Sequence, residues 1–209
     1  MLSSDTTPPA RGPRNPGLTP VMLHHAAWIT HDVAATADFY TRIMGMELAS
    51  TVVDDKVPST GEDFPYFHIF FRMGDGSTIA FFEAPGVPLP AKPSHPAYET
   101  FNHFAMQADT REDVLRWRDW LTANKIEVIG PTDHKGLILS IYFRDPNGIR
   151  LEITTPIDAE WNQHTEQGYE DLRAWVACKE QAERSGRDVS QALVQMIRET
   201  RTRYEEKRP

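Results

Sequence analysis

Hydrophobic residues in the first half of the chain form short runs and helically spaced sets that predict one strand, one helix and three further strands. Asp32 stands where it can cap the helix, and Gly45 stands where it can end it. Asp75-Gly76-Ser77 separates two aromatic runs, which indicates a β-hairpin. The predicted elements are a strand over 21–30, a helix over 33–44, and strands over 46–53, 66–71 and 78–82.

The same order of elements returns in the second half, so the sequence predicts a duplicated unit. Each copy opens with an apolar segment that carries an early histidine, 25–32 in the first copy and 102–109 in the second. Each copy ends in a glycine turn and an apolar strand, over 76–83 and 148–155. The second copy is predicted as a strand over 100–107, a helix over 110–124, and strands over 127–129, 137–143 and 149–155.

Changes in composition divide the chain into five predicted segments. Closely spaced prolines stiffen the connection between the two copies, and the residues after 156 become charged and helix-prone. This tail is predicted to be a helical hairpin that packs on the sheet, forms a subunit contact or covers the site. The segments are a disordered lead-in over 1–20, a first module over 21–84, a linker over 85–97, a second module over 98–156 and a helical extension over 157–209.

The duplication itself singles out candidate metal ligands. His25 and His103 occupy equivalent positions at the opening of the two copies, and the fourth residue after the turn glycine is Ala80 in one copy and Glu152 in the other. Successive side chains of a strand point to opposite faces, so Glu83 has the opposite parity and is predicted to lie at a solvent-facing strand end. We predict that the two histidines and Glu152 converge on one site.

Two imidazoles and one carboxylate form the ligand set typical of non-haem Fe(II), which leaves coordination positions open for substrate and dioxygen. Mn(II) or another divalent metal can take the place of iron in such a set, and zinc accepts the same donors. The sequence therefore predicts a divalent metal site but does not determine which divalent metal binds there.

The composition of this 209-residue chain excludes several classes of binding partner. Its formal net charge is −8 and its pI is about 5.5, which offers no basic surface for nucleic-acid phosphates or anionic lipid. The N-terminal segment has no apolar run long enough for a signal peptide or a membrane span. The single cysteine, Cys178, excludes an internal disulfide and fits a reducing compartment. We expect a cytoplasmic protein that binds neither nucleic acid nor membrane.

Several segments resemble motifs of the vicinal oxygen chelate superfamily, which includes glyoxalase I, bleomycin-resistance proteins and type I extradiol dioxygenases. Residues 25–32, with Phe39-Tyr40 and Ile43-Met44-Gly45, look like its opening motif, in which the histidine is a ligand. Residues 142–152, YFRDPNGIRLE, look like its closing motif, in which the last glutamate is a ligand. The resemblance spans residues 21–156. It implies an α+β fold of two fused βαβββ modules that form a cupped mixed sheet around a metal site, with a C-terminal helical extension.

Two details favour a ring-cleaving dioxygenase within this family. Glyoxalase-like lyases and isomerases generally bring four protein ligands, and the fourth position here is Ala80. Tyr142 stands ten residues before the ligand glutamate, the spacing at which extradiol enzymes carry an active-site tyrosine. One departure counts against this prediction: the larger extradiol enzymes place an acid-base histidine just before the strand that holds Ala80, where this chain has Gly76-Ser77. His134 is our first candidate for that role, and His68 is the second.

The resemblance therefore implies an Fe(II)-dependent extradiol-type dioxygenase, expected as a homo-oligomer, that acts on a catechol-like aromatic diol and dioxygen. Tyr142 and His134 would manage protons and oxygen charge. Two alternatives stay open. A metal-dependent glyoxalase-like lyase or isomerase would gain support if Glu83 reached the metal. A non-catalytic protein that binds an aromatic antibiotic would be metal-free and would have a deep aromatic groove.

Overall fold

The computed structural model describes residues 17–206, with side chains described through residue 201. The chain divides into two compact units. The unit Thr19–Ala159 contains the eight strands of the described chain, and the second unit contains the helices that follow Glu160. The predicted lead-in over 1–20 lies almost entirely outside the described residues.

The first module has the predicted order of elements. It consists of β1 (His25–Ile29), α1 (Val33–Asp38), a π-helical segment (Phe39–Ile43), β2 (Glu47–Lys56), β3 (Asp63–Arg72) and β4 (Thr78–Glu83). The sheet order is β1-β4-β3-β2, with β1 parallel to β4 and the other pairs antiparallel. Asp32 caps α1 as predicted, because its carboxylate accepts the Ala35 N–H at 2.9 Å. Gly45 ends the helical segment at a φ of 69°, where glycine has no Cβ to clash.

The second module repeats this arrangement. After a short helix α2 (Pro96–Phe101), it consists of β5 (Phe104–Gln107), α3 (Arg111–Ala123), β6 (Ile129–Asp133), β7 (Ile138–Arg144) and β8 (Arg150–Pro156). Its sheet order is β5-β8-β7-β6, with β5 parallel to β8. The predicted α+β fold of two fused βαβββ modules is confirmed, and its strands form two four-stranded mixed sheets.

The two sheets match in register as well as in strand order. Ala27 of β1 pairs with Ala80 of β4, and Ala105 of β5 pairs with Glu152 of β8. In each module the candidate ligand histidine stands two residues before that alanine. The equivalence inferred from the turn glycines is therefore an equivalence in space, which places the two histidines at matching positions.

The two modules share one hydrophobic core. The rings of Trp28 and Phe104, one from each first strand, meet edge to face with centroids 5.9 Å apart. The Trp120 indole N–H of α3 donates to the Ile43 carbonyl of the first module at 2.9 Å. The largest fully buried apolar side chains come from both modules: Tyr40, Phe71, Ile79, Phe81, Val114, Leu121, Ile141 and Leu151. Burial of these residues across the junction favours a fixed arrangement of the modules.

Buried polar groups also join the turn before β8 to the first module. The Thr30 hydroxyl donates to Asn147 Oδ1 at 2.7 Å, and the Tyr40 hydroxyl donates to Asp145 Oδ2 at 3.1 Å. Burial raises the pKa of Asp145, while its hydrogen bonds from Asn147, Ile149 and Tyr40 oppose that rise. The Asp-Pro-Asn-Gly turn thus fixes the start of β8, the strand that carries Glu152.

Two predicted boundaries in the second module were wrong. Residues 100 and 101, predicted to begin a strand, lie in α2, because Pro96 suits the first turn of a helix and the His95 ring accepts the Ala97 N–H at 3.0 Å. The strand predicted over 127–129 instead runs over Ile129–Asp133 and contains an irregularity in its pairing with β7. That irregularity accommodates Pro131, which has no N–H for the ladder.

The unit after Glu160 contains two helices, α4 (Thr165–Arg184) and α5 (Val189–Glu206), as the sequence predicts. Ala182 of α4 is completely buried. Within residues 17–206, no helix is both long enough and apolar enough to span a bilayer.

Candidate metal centre

The structure brings His103 and Glu152 together. His103 stands just before β5, and its Nε2 lies 2.8 Å from Glu152 Oε2 on the neighbouring strand β8. The Glu152 residue is only 2% exposed, so its carboxylate is removed from solvent and held against the imidazole. These two predicted ligands thus form a contacting pair.

One carboxylate oxygen of Glu152 has no hydrogen-bond partner and could coordinate a ligand. Its Oε2 is 2.8 Å from His103, but its Oε1 is buried and has no hydrogen-bond partner. Burying a carboxylate oxygen without a partner is costly, and native proteins normally satisfy such atoms. A divalent cation would satisfy this one, and a carboxylate beside an imidazole nitrogen is a suitable donor set for such an ion.

Neighbouring groups engage the far ring nitrogen of each candidate histidine. His103 Nδ1 lies 2.8 Å from the Phe101 carbonyl oxygen, and because that oxygen can only accept, the proton is on Nδ1. His25 Nδ1 lies 2.8 Å from His24 Nδ1. With Nδ1 engaged in both modules, His103 Nε2 faces Glu152 and His25 Nε2 is left for another partner, and an engaged Nδ1 is the pattern found in metal-ligating histidines.

The ring contacts of His25 lie within the first module. Its ring is near His68 of β3, with centroids 6.4 Å apart, and near Phe70, with centroids 5.8 Å apart. Over residues 17–206, no three His, Cys, Asp or Glu side chains are gathered into a group that could hold a metal ion. Convergence of all three predicted ligands on one point therefore stays a prediction.

Tyr142 and His134, predicted as the proton-handling pair, are in contact. The Tyr142 hydroxyl lies 2.8 Å from His134 Nε2. Tyr142 pairs directly with Glu152 across β7 and β8, so both side chains lie on one face of the sheet, and its ring meets the His103 ring edge to face at 5.9 Å. Burial raises the pKa of Tyr142, and the Glu152 carboxylate raises it further, so the phenol is protonated at neutral pH.

Arg150 is a site residue that was not predicted. Its guanidinium carbon lies 4.3 Å from the centroid of the Tyr142 ring, a cation–π contact. Its Nε is buried and has no hydrogen-bond partner. The signal was present in the sequence, because a residue two before Glu152 on the same strand shares its face.

His68, the second candidate for a catalytic histidine, lies in the first module beside His25. It is 8% exposed, its ring stacks on Phe82 with centroids 3.5 Å apart, and its Nε2 is buried without a partner. Burial and, to a smaller extent, the neighbouring His25 lower the pKa of His68 to about 4. His68 is consequently a neutral imidazole at physiological pH.

The structure corrects the expected environment of Glu83. Its parity is as predicted, because it pairs with Phe67 rather than with a residue of the Ala80 face. It does not lie free at a solvent-facing strand end, however. Glu83 is half-buried, and its Oε2 accepts the Val33 N–H at 2.6 Å, since the exposed amides at the start of α1 favour a carboxylate.

Comparison with known proteins agrees with this architecture. The family model described as Glyoxalase/Bleomycin resistance protein/Dioxygenase superfamily matches residues 22–153. Metapyrocatechase of Pseudomonas sp. (strain CF600) is 30% identical over 160 residues, which are 75% of this chain and 46% of that protein. The chain therefore spans about half the length of this relative.

Two solved structures share the fold at low identity. The glyoxylase/bleomycin resistance protein/dioxygenase domain from Frankia sp. EAN1pec is 14% identical with a TM-score of 0.53, over 66% of this chain and 99% of that one. The fosfomycin resistance protein FosX from Listeria monocytogenes is 22% identical with a TM-score of 0.50, over 68% and 98% of the respective chains. Because the family model covers most of both modules, the chain belongs to the glyoxalase/bleomycin resistance protein/dioxygenase superfamily. Most members of this superfamily are metal-dependent enzymes.

Proposed function

We propose that this protein is an Fe(II)-dependent, extradiol-type dioxygenase that cleaves the ring of a catechol-like aromatic diol. The observation that carries the proposal is the buried Glu152 carboxylate, which contacts His103 and pairs across the sheet with Tyr142. The similarity to metapyrocatechase supports the same class of reaction. We further propose that it works in the cytoplasm as a homo-oligomer.

The proposed metal ligands are His25, His103 and Glu152. Members of the superfamily use divalent metals, and Mn(II) or another divalent ion is the alternative to iron here. Bound there, Fe(II) would supply open coordination positions and the redox chemistry that combines dioxygen with an aromatic diol. The orphaned Oε1 of Glu152 and the Nδ1 contacts of both histidines support this donor set.

Tyr142 and His134 would handle the protons of the diol. The raised pKa of Tyr142 keeps its hydroxyl protonated, so it can donate a hydrogen bond to an oxygen on which negative charge develops. His134, 2.8 Å from that hydroxyl, can accept a proton passed along the pair. The two groups form a relay on the face of the sheet that also presents Glu152.

His68 is less well placed than His134 for this role. Its neighbours are His25, Phe70 and Phe82 of the first module, and burial keeps its pKa at about 4. A base with that pKa accepts a proton poorly at neutral pH. We propose that His68 shapes the wall beside His25 and that His134 carries the acid–base step.

The two alternative functions receive less support. A glyoxalase-like lyase or isomerase with Glu83 on the metal conflicts with the use of that carboxylate at the start of α1. A metal-free antibiotic-binding protein would have no use for a buried carboxylate oxygen that lacks a partner. Both remain measurable outcomes of the experiment that tests the proposal.

The test is oxygen uptake by protein purified without oxygen, reconstituted with Fe(II) and mixed with a panel of catechols. The proposal predicts stoichiometric consumption of dioxygen and diol, with a coloured ring-opened product. Absence of uptake across the panel, with lyase or isomerase turnover under nitrogen, would overturn the dioxygenase assignment. Tight binding of an aromatic compound without any turnover would instead favour the binding protein.

A further inference from the structure

A cavity beside Tyr142 carries an excess of positively charged side chains. It measures about 510 Å³, and both Tyr142 and Arg150 line it. Arg144 and Lys125 line it as well, and the acidic residues on its wall are Glu127 and Asp145. The chain as a whole has a formal net charge of −8, whereas this cavity is lined by three cationic and two acidic side chains. The sign of the charge at the cavity is therefore opposite to that of the whole chain.

Among the side chains of residues 17–201, no carboxylate forms an ion pair with either arginine. Arg144 donates to two backbone carbonyls, Gly148 at 2.6 Å and Glu99 at 3.3 Å. Arg150 stacks on Tyr142, and its buried Nε has no hydrogen-bond partner. Because Arg144 and Arg150 pair directly across β7 and β8, their like charges repel each other, and that arrangement is destabilising without a counter-charge.

The two acidic residues of the cavity do not supply that counter-charge. Asp145 is buried and already accepts hydrogen bonds from Tyr40, Asn147 and Ile149. Glu127 is exposed and is in no ion pair within residues 17–206. The cavity therefore has donors and positive charge that an anion from solution would satisfy.

We propose that this cavity binds the carboxylate of an acidic aromatic ligand, with Arg150 as the anchoring residue. A planar guanidinium held over an aromatic ring presents its remaining N–H groups in the geometry that carboxylates accept. Arg150 stands two residues from Glu152 on the same face of β8, within reach of a substituent on a ring bound beside Tyr142. Taken with the proposed function, on which this part rests, the substrate class is a catechol that bears a carboxylate.

The first experiment needs neither metal nor turnover. Binding of benzoate and of its uncharged methyl ester to the metal-free protein is followed by calorimetry and by chemical-shift changes. The acid is expected to bind roughly 10-fold more tightly than the ester, and the preference is expected to fall as salt is added. Equal binding of the two compounds, or no binding of benzoate, would overturn the proposal.

Variants locate the effect. Arg150→Met removes the charge but keeps an apolar stem, and it should abolish the preference, whereas Arg150→Lys should keep only part of it, because the charge remains and the planar fork is lost. Arg118→Met changes the net charge equally on α3, where Arg118 pairs with Asp119 outside this cavity, and it should leave the preference intact. An equal loss in Arg118→Met would mean a general charge effect and would refute the subsite. If Arg150→Met does not fold, Lys125→Gln should still weaken the preference by about 2-fold, and no change there would count against the subsite.

The second experiment separates this proposal from the proposed function. Oxygen uptake by the Fe(II)-loaded protein is measured with protocatechuate and with its methyl ester. A lower KM for the acid that is lost in Arg150→Met supports both proposals. Turnover of both compounds with equal KM would refute the carboxylate subsite and leave the dioxygenase assignment standing. Arg150-dependent benzoate binding without turnover of any diol would refute the dioxygenase and leave the subsite standing.

Discussion

The two modules place different side chains on one shared backbone frame. In the first sheet, Ala80 pairs with Phe70 of the neighbouring strand, and in the second, Glu152 pairs with Tyr142 at the same position. The strand order and the offset to the first-strand histidine are the same in both. Apolar residues thus occupy in the first module the positions at which the second module carries a carboxylate and a phenol.

Burial has opposite energetic consequences for the two side chains. Ala80 is completely buried and Glu152 is 2% exposed, so the frame excludes water in both modules. A buried methyl group stabilises the fold, whereas a buried carboxylate destabilises it unless partners compensate. His103 compensates one oxygen of Glu152, and the second oxygen, which has no hydrogen-bond partner, is the one that we propose for the metal. The second module therefore carries a polar site that the first module has replaced with packing.

The largest effect is expected from making the second module resemble the first at this position. Glu152→Ala should lower metal affinity by at least about 100-fold and abolish oxygen uptake, because a charged ligand is lost. The apo protein should remain folded, since the partnerless buried oxygen is also removed. Metal titration monitored by calorimetry, with unfolding curves of the apo protein, checks both parts.

Glu83→Gln is the matched control, because it removes a carboxylate from the equivalent strand of the first module. It should leave metal affinity unchanged and cost about 1 kcal/mol of stability, since Glu83 accepts the Val33 amide at the start of α1. A loss of metal in this variant would contradict the division of roles between the modules.

Tyr142→Phe makes the second module resemble the first at the neighbouring strand, where Phe70 stands. Turnover should fall by about 10²-fold while metal affinity stays the same, because only a hydrogen-bond donor is lost. His134→Ala should affect the same step, so the double variant should lose less than the product of the two single effects. Steady-state oxygen uptake measures all three. Tyr66→Phe in the first module is the control and should keep wild-type turnover.

We expect the contact between the modules to contribute to the free energy of unfolding rather than to turnover. Tyr40 is completely buried, and its hydroxyl donates to Asp145 across the junction. Tyr40→Phe leaves that carboxylate with one donor fewer, so the free energy of unfolding should fall by about 1–3 kcal/mol. Denaturant unfolding of the metal-free protein measures this change. Replacing exposed Tyr98 by Phe should leave stability within about 0.5 kcal/mol of wild type.

A smaller effect concerns the buried histidine of the first module. The pKa of His68 is about 4 in the folded protein and about 6.5 when solvated, so between these values the unfolded chain binds more protons than the native one. Stability should therefore fall as the pH is lowered from 6.5 to 4. His68→Phe should reduce the slope of the unfolding free energy against pH by an amount that corresponds to at most one proton taken up on unfolding. The slope is measured on the metal-free protein. An identical slope in both proteins would mean that His68 is solvated.

The sequence predicted most of the frame because glycine turns and strand parity are local signals. The equivalence of Ala80 with Glu152 follows from counting along each last strand from its turn glycine. Tyr142 and His134 were chosen as candidates, but their contact joins a strand to the turn before it. The sequence could not predict that Glu83 would accept the Val33 amide, because that contact joins residues 50 positions apart. It also placed the start of β5 too early, since the helix-starting preference of Pro96 prevailed over an apolar run.

We propose that both modules contribute ligands to one metal ion. Anaerobic Fe(II) titration of His25→Ala, His103→Ala and His68→Ala beside the wild type tests this. We expect one ion bound per chain in the wild type and in His68→Ala. In His25→Ala and His103→Ala we expect losses of similar size, at least about 100-fold in affinity. Wild-type iron affinity in His25→Ala would show that the second module binds its metal alone, and would contradict the claim.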